Sequence, residues 1–363
     1  MRSENVFSPG PSHLPTPVLN KVLEYIACYP GSNVSILELG HRTQLFMGII
    51  EAAKFDLRDL LNIPQDFQIV FVSGGASLEF QMVPLNIDQS IGYIVSGRWS
   101  YLAYNEAKRV KDNVILCNTI PQNDSYHDFS LDWCDFSGCD YVYYVSNETA
   151  HGVQIHNNEL SKITSQRNLI CDMSSDIATH NIDWDKHAIV FAGTAKNLGI
   201  SGMNVLIVHD SILAQTQAEA SITNFKTLVE ANSVYNTPAT LQLAVVDMML
   251  QWYKELGGLP HFIQLSQAKA RLVYDLLQKY PNIFRIYPTN PEYYSNVNIV
   301  FHFVDDTFTA KFIEFASHMD IHEIKGHAVL GGIRLSMYNS ISYSQAELFV
   351  RCLQDFLSQE KLI

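Results

Sequence analysis

The sequence predicts an α/β fold: a mostly parallel sheet with helices on both faces, joined to a smaller C-terminal α+β lobe. Three observations predict it. Short, continuous apolar runs alternate with longer helical stretches through the first two-thirds of the chain. Two long helical patterns, 238–255 and 260–279, then end the alternation. Beyond them the strands and helices mix in a different rhythm. The expected division is a large domain over 18–255 and a small domain made of 1–17 with 256–363.

The elements follow in order. Ser8-Pro9-Gly10-Pro11-Ser12 has turn chemistry. Thr16 before Pro17 reads as an N-cap with proline at the first helical position, opening a helix over 18–29. A second helical pattern covers 44–61. The run 68–72 reads as a strand stopped by Gly74-Gly75, with a helix after it. Further strands are expected at 91–95, 114–117, 141–145, 169–173, 188–191 and 204–208, with a helix at 99–110. In the small lobe the pattern gives strands at 297–303 and 332–337 and helices at 307–318 and 343–358.

Composition narrows the function. Of 363 residues, 47% are apolar and 17% charged, enough to build a sizeable core. The net charge of −13, with no basic run, argues against nucleic acid and anionic membrane surfaces as partners. No stretch of about eighteen apolar residues offers a membrane span. The six cysteines are scattered without a CxxC pair, as expected of reduced thiols. The chain start lacks a signal-like apolar region, so a cytoplasmic location is expected. His318 and His322 share the i, i+4 spacing of a metal pair but have no clear third ligand, and no metal is expected.

GxGxxG, P-loop, HExxH and G-x-S-x-G motifs are absent. What remains is a sparse set of residues at strand ends, where open α/β sheets bind ligands. Asp172 closes one apolar strand, and Lys196 follows the next in the small-residue turn Gly193-Thr194-Ala195. An amine and a carboxylate on neighbouring strand ends suit pyridoxal phosphate. The amine condenses with the aldehyde, and the carboxylate keeps the pyridine nitrogen protonated.

These residues sit within a longer ordered set. It runs from Phe7-Ser8-Pro9-Gly10-Pro11 through His41-Arg42, Val83-Pro84-Leu85-Asn86, Trp99-Ser100 and Asn147-Glu148-Thr149 to Asp172-Met173-Ser174-Ser175. It continues with Lys196-Asn197, Tyr235-Asn236-Thr237-Pro238, Lys325-Gly326-His327 and Gly331-Gly332-Ile333-Arg334. In this order and over nearly the whole length, the chain resembles the phosphoserine aminotransferase family of class V, fold-type I pyridoxal-phosphate enzymes. The resemblance implies that Lys196 binds the cofactor aldehyde and then moves the substrate proton. Asp172 would pair with the ring nitrogen, Trp99 would stack on the ring and Thr149 would donate to its phenolic oxygen. Ala76 and Ser77, at a helix start, would hold the cofactor phosphate. Asn236 and Thr237 would reach the neighbour's cofactor phosphate across a homodimer interface. His41, Arg42, His327 and Arg334 would form an anion pocket, with Arg42 on the substrate α-carboxylate. The implied reaction moves the amino group between glutamate/2-oxoglutarate and a phosphorylated amino or keto acid. Phosphoserine in serine synthesis, and a phosphorylated hydroxythreonine in vitamin B6 synthesis, are the implied substrates.

The chain departs from the family pattern at three places. Ala195 stands where the family carries glutamine, and Ala328 where it carries arginine. Ala76-Ser77-Leu78 replaces a more glycine-rich loop. Arg98, beside Trp99, is the candidate to compensate for the missing arginine. Two other readings stay open. One is a class V enzyme for an unphosphorylated amino acid; within it a cysteine desulfurase fits poorly, because Cys352 lies in a helical segment. The other is a non-catalytic dimer that keeps the fold.

Overall fold

The structure, a computed structural model, describes residues 3–118, 129–164, 166–216 and 218–363. Helices α1 (Thr16–Ala27) and α2 (Gln44–Leu61) precede strand β1 (Phe67–Ser73). Next come α3 (Glu79–Asn86), β2 (Ile91–Tyr93), α4 (Arg98–Val110) and β3 (Val114–Leu116). β4 (Tyr141–Val145) leads into a short hairpin, β5 (Asn147–Glu148) and β6 (Val153–Gln154), and helix α5 (Leu160–Ile163). Then β7 (Leu169–Asp172), β8 (His187–Gly193) and β9 (Met203–His209) complete the large sheet. Two short helices, α6 (Asp210–Leu213) and α7 (Phe225–Glu230), precede the long α8 (Thr240–Glu255) and α9 (Gly258–Lys279). The last part holds β10 (Phe284–Tyr287), β11 (Asn298–Phe303), α10 (Thr307–His318), β12 (Lys325–His327), β13 (Gly331–Ser336) and α11 (Tyr343–Gln359).

The main sheet has the order β1-β9-β8-β7-β4-β2-β3. Strand β9 is antiparallel to both neighbours, and the other pairings are parallel. The sheet is therefore mixed but mostly parallel, as expected. Along β4 and β8, successive side chains enter opposite cores. Val142, Tyr144, Val190 and Ala192 pack toward α2 and α8. Tyr143, Val145, Ile189 and Phe191 pack toward α3, α4 and α7. Burial on both faces explains the continuous apolar runs. Because β4, β7 and β8 run parallel, they end at one edge, and the residues that follow them emerge side by side.

Helix α2 shows how local sequence sets these elements. The Thr43 hydroxyl accepts the Phe46 N–H at 3.3 Å, and Asn62 ends the helix in the left-handed region at φ 52°. Between them Phe46, Ile49, Ile50, Ala53 and Leu57 form one buried stripe.

Three expected boundaries are corrected. Thr16 lies inside α1, with Pro15 at the cap position, and its hydroxyl donates to Glu4 Oε1 at 2.6 Å instead of capping. Helix α8 starts at Thr240 after Ala239, so Thr237 does not cap it and Pro238 stands outside it. Helix α9 starts at Gly258, with Pro260 in its first turn, where a missing N–H costs no hydrogen bond.

A four-stranded antiparallel sheet, β10-β11-β13-β12, builds the second core with α9, α10 and α11. Phe7 belongs to this core, and its N–H donates to His322 O at 3.0 Å. From there the chain runs to the main sheet, where Ser12 N–H donates to Ala195 O at 2.8 Å.

The turn after β13 braces both parts. Tyr338 Oη donates to Pro9 O at 2.7 Å, and Asn339 N–H donates to Asn197 Oδ1 at 3.0 Å. The wholly buried Lys269 fixes this turn: its Nζ donates to Met337 O, Tyr338 O and Ile341 O at 3.0, 2.9 and 2.7 Å. Burial pulls the Lys269 ammonium down to about 7, and three carbonyl acceptors offset that cost. Lys269→Met leaves those carbonyls unsatisfied. Denaturant unfolding is expected to show a loss of roughly 2–4 kcal/mol, and an unchanged midpoint would mean the turn holds without the lysine.

Candidate active site

The ends of β1, β4, β7 and β8 open onto a cleft of about 320 Å³. Gly75, Ala76, Ser77, Trp99, Asp172 and Lys196 are among its lining residues. β7 ends on Asp172, 5% exposed, whose Oδ1 accepts the Ser174 N–H at 2.8 Å. Burial pushes this carboxyl above its ordinary value; the Ser174 hydrogen bond and the Lys196 charge oppose the rise.

β8 ends at Gly193, and the next turn is tied to β9 by Thr194 N–H donating to Met203 O at 3.0 Å. Lys196 follows, half-buried, with its Nζ 5.5 Å from the centre of the Trp99 ring. Its backbone carbonyl accepts the Ser12 hydroxyl, which clamps the N-terminal strap over the lysine. Desolvation pulls the Lys196 ammonium down, against the pull of Asp172, Glu148 and Asp176. Each member of the Lys196–Asp172 pair thus holds the other nearer its charged form.

Trp99 is fixed from two sides. Its indole Nε1–H donates to Thr149 Oγ1 at 3.0 Å, and its backbone N–H donates to Glu148 Oε2 at 3.0 Å. Glu148 is wholly buried, and its Oε1 also accepts the Ser100 N–H and the Ser100 hydroxyl, both at 2.7 Å. A carboxylate on the first amides of α4 satisfies orphan donors and meets the positive end of the helix. Burial still raises the Glu148 pKa, with these hydrogen bonds opposing. The approach requires glycine at 97, because a Cβ there would lie 2.5 Å from the Glu148 carboxyl carbon.

Ala76 and Ser77 form a 3₁₀ turn that runs into α3. The first amides of such a run lack intrahelical acceptors and suit an anion. Thr149 is buried behind Trp99 and does not line the cleft. Arg334, on β13, is 9% exposed and acts electrostatically on Lys196. It forms no ion pair among the described residues, and its Nε has no hydrogen-bond partner. Burial lowers its pKa. A cation in that position calls for an anion from outside the chain.

The other sequence candidates lie elsewhere. His327 is on β12, where its Nδ1 accepts the Val329 N–H at 3.3 Å. His41 is half-buried and Arg42 exposed, in the loop before α2. Asn236 and Thr237 are exposed before α8. None of these five residues lines the cleft of its own chain, and neither does Arg334, whose link to it is its charge acting on Lys196. Arg98 opens α4 and does not line it either, and Ala328 is exposed in the β12–β13 turn. Cys352 is buried in α11, as expected of a structural thiol. Two buried acids, Glu148 and Glu79, carried no role in the sequence. The sole signal was that Glu148 lies inside the motif Asn147-Glu148-Thr149 and that Glu79 directly follows the loop Ala76-Ser77-Leu78.

The donors fit pyridoxal phosphate chemically: an amine for its aldehyde, a buried carboxylate for its ring nitrogen, an indole for its face and helix-start amides for its phosphate. Comparison with known proteins agrees. The class V aminotransferase family pattern matches residues 5–349. Phosphoserine aminotransferase of Chromobacterium violaceum is 32% identical over 360 residues, covering 97% of this chain and 98% of that protein. The Bacillus cereus phosphoserine aminotransferase is 32% identical, covering 96% and 97%. The solved phosphoserine aminotransferase of Bacillus circulans subsp. alkalophilus superposes with a TM-score of 0.90 at 30% identity, covering 99% of both chains. The pyridoxal-phosphate-bound phosphoserine aminotransferase of Trichomonas vaginalis gives 0.88 at 29%, covering 97% and 100%. The fold is that of fold-type I pyridoxal-phosphate enzymes. The chain belongs to the class V aminotransferases.

Gly97→Ala tests the Glu148 clamp. The added methyl must displace the carboxylate from Trp99 and Ser100, so urea unfolding is expected to show a loss of roughly 1–3 kcal/mol. Unchanged stability would mean that Glu148 moves freely.

Proposed function

We propose that this chain is a phosphoserine:2-oxoglutarate aminotransferase of serine synthesis, working in the cytoplasm as a homodimer. Relatives of that name cover nearly its whole length. The observation that carries the reading is the Lys196–Asp172 pair at adjacent strand ends beneath Trp99, with Arg334 buried nearby and lacking a carboxylate partner. We take residues 18–255 as the cofactor-binding domain and 1–17 with 256–363 as the small domain.

When bound, pyridoxal phosphate supplies an aldehyde that takes up an amino group and a cationic ring that draws electrons from the substrate α-carbon. Lys196 would hold the aldehyde and, as a free amine, would be placed to move the proton at the substrate α-carbon. Its lowered pKa raises the share of free amine near neutral pH, which suits a base. Asp172 would hold the proton on the ring nitrogen. Trp99, fixed by Thr149 and Glu148, would offer its indole to the ring face. Thr149, whose Oγ1 accepts the Trp99 indole N–H beside the cleft, would have its hydroxyl proton left for the phenolic oxygen, and Ala76 and Ser77 would hold the phosphate.

Arg334 takes a substrate anion, and His327 on the same β12–β13 hairpin assists it. His41, Arg42, Asn236 and Thr237 lie outside the cleft of their own chain. In this reading a second copy completes the site. Asn236 and Thr237 reach the neighbour's cofactor phosphate, and His41 with Arg42 joins the substrate pocket. A phosphorylated hydroxythreonine, one hydroxylated carbon longer and of the same charge, is a second substrate.

One observation favours an alternative. Ala328 stands exposed on the substrate hairpin and provides no charge for a phosphate. That fits a class V enzyme for an unphosphorylated amino acid.

The test is a half-reaction. Phosphoserine is expected to bleach the yellow holoprotein at least ~100-fold faster than alanine, and Lys196→Ala to lower turnover by roughly 100- to 10,000-fold. Equal rates with the two amino acids would favour the alternative. Retained turnover in Lys196→Ala would defeat the role given to that lysine.

A further inference from the structure

A second buried acid stands behind the cofactor cleft, and the mechanism does not use it. Glu79 is the first residue of α3, just past the Ala76–Leu78 turn that lines the cleft. It is wholly buried, and neither carboxyl oxygen has a hydrogen-bond partner. Its polar neighbour is Asn204 on β9, also wholly buried, whose Oδ1 is likewise without a partner. Asn204 Nδ2 donates to Gly74 O at 3.4 Å. A proton on the Glu79 carboxyl would give Asn204 Oδ1 a donor, and an ionised carboxylate buried without a cation is costly there.

We propose that Glu79 is a positioning residue of the cofactor site: held as the neutral acid, it donates its proton to Asn204 Oδ1, so that no second negative charge stands behind Asp172. The proposal rests on the cofactor reading above for what Asp172 does, but not for the state of Glu79. Burial is the main force pushing the Glu79 carboxyl up to about 8; the Asn204 side chain opposes the rise and the Asp172 charge adds to it. The coupling is mutual, so an ionised Glu79 would push Asp172 toward its neutral form. Among the described residues no cation acts on Glu79. Asp172 on β7 is the charged group acting on Glu79, and Lys196 and Asp176 act on Asp172 in turn. Tyr143 on β4 is buried and senses Asp172. Glu106 on α4, packed against α3, is engaged with Gln81 at 2.8 Å on the exposed face.

The sign of the pH effect follows. The folded chain keeps a proton at position 79 up to about 8, whereas the unfolded chain releases it near 4.5. Between those values stability falls as pH rises, and above them the penalty is constant. Glu79→Gln keeps the shape, gives Asn204 Oδ1 an N–H donor and has no proton to lose.

The experiment compares thermal unfolding of the wild-type holoprotein and Glu79→Gln from about pH 5 to about pH 9. The variant is expected to match the wild type at the acid end and to gain several degrees on it by about pH 8, with no further change. A gap that does not vary with pH would overturn the proposal. A second measurement needs no variant: infrared titration of carboxyl-labelled glutamate in the wild type. A protonated-acid band that converts near pH 8 supports the assignment, and its absence at neutral pH overturns it. A third arm reads the bound cofactor's absorbance against pH. A transition near 8 present in the wild type and missing from Glu79→Gln supports coupling to Asp172, and a transition shared by both overturns it. Failure of the phosphoserine half-reaction alone would leave the unfolding and infrared results standing.

Discussion

A lysine and an aspartate carried on the ends of two adjacent parallel strands, largely screened from water, are the constraint the rest of the structure serves. Burial by itself would discharge both: it lowers the Lys196 ammonium and raises the Asp172 carboxyl. Their mutual attraction opposes both shifts. The pair needs strand ends because only there do β7 and β8, buried along their whole length, hand polar residues to a cavity. The mostly parallel sheet follows from that need, since parallel neighbours end at one edge. The antiparallel β9 lies beyond β8 and supplies Met203 O and Asn204 to the turn and to the wall behind the cleft.

Around the pair the chain has placed rigid supports. Glu148 ties the start of α4 to the β5 segment and so fixes Trp99. The N-terminal strap is joined to Lys196 and Ala195 through Ser12, and to the turn after β13 through Pro9. That turn is anchored in turn by Lys269. Cleft, strap and small-lobe hairpin are therefore linked mechanically, and Arg334 is carried on that hairpin. A charge that the fold leaves unpaired so close to the lysine is a better guide to the substrate than the exposed cations near residue 42.

Much of this was legible in the sequence. The strands of the main sheet read clearly because burial on both faces leaves an unbroken apolar run, as in Ile170 to Cys171 and Ile189 to Ala192. Asp172 was legible because a charged residue ending such a run stands out, and Lys196 because it follows the next run in a small-residue turn. Helix starts were less so. Thr16-Pro17 and Thr237-Pro238 both satisfy the local chemistry of a cap, yet one threonine bonds Glu4 and the other lies outside α8. The rule states what a start tolerates, and contacts distant in sequence choose among tolerated starts. Glu79 and Glu148 were illegible for another reason. An acid in a polar motif reads as solvated, and only the packing of α3 and α4 on the sheet shows that both are buried.

The account stands or falls on which nitrogen holds the cofactor. The direct measurement is borohydride reduction of the holoprotein followed by proteolysis and peptide mass mapping. The cofactor's mass is expected on the peptide containing Lys196 and on no other. Labelling of a different lysine, or an unlabelled Lys196 peptide from yellow protein, would contradict it.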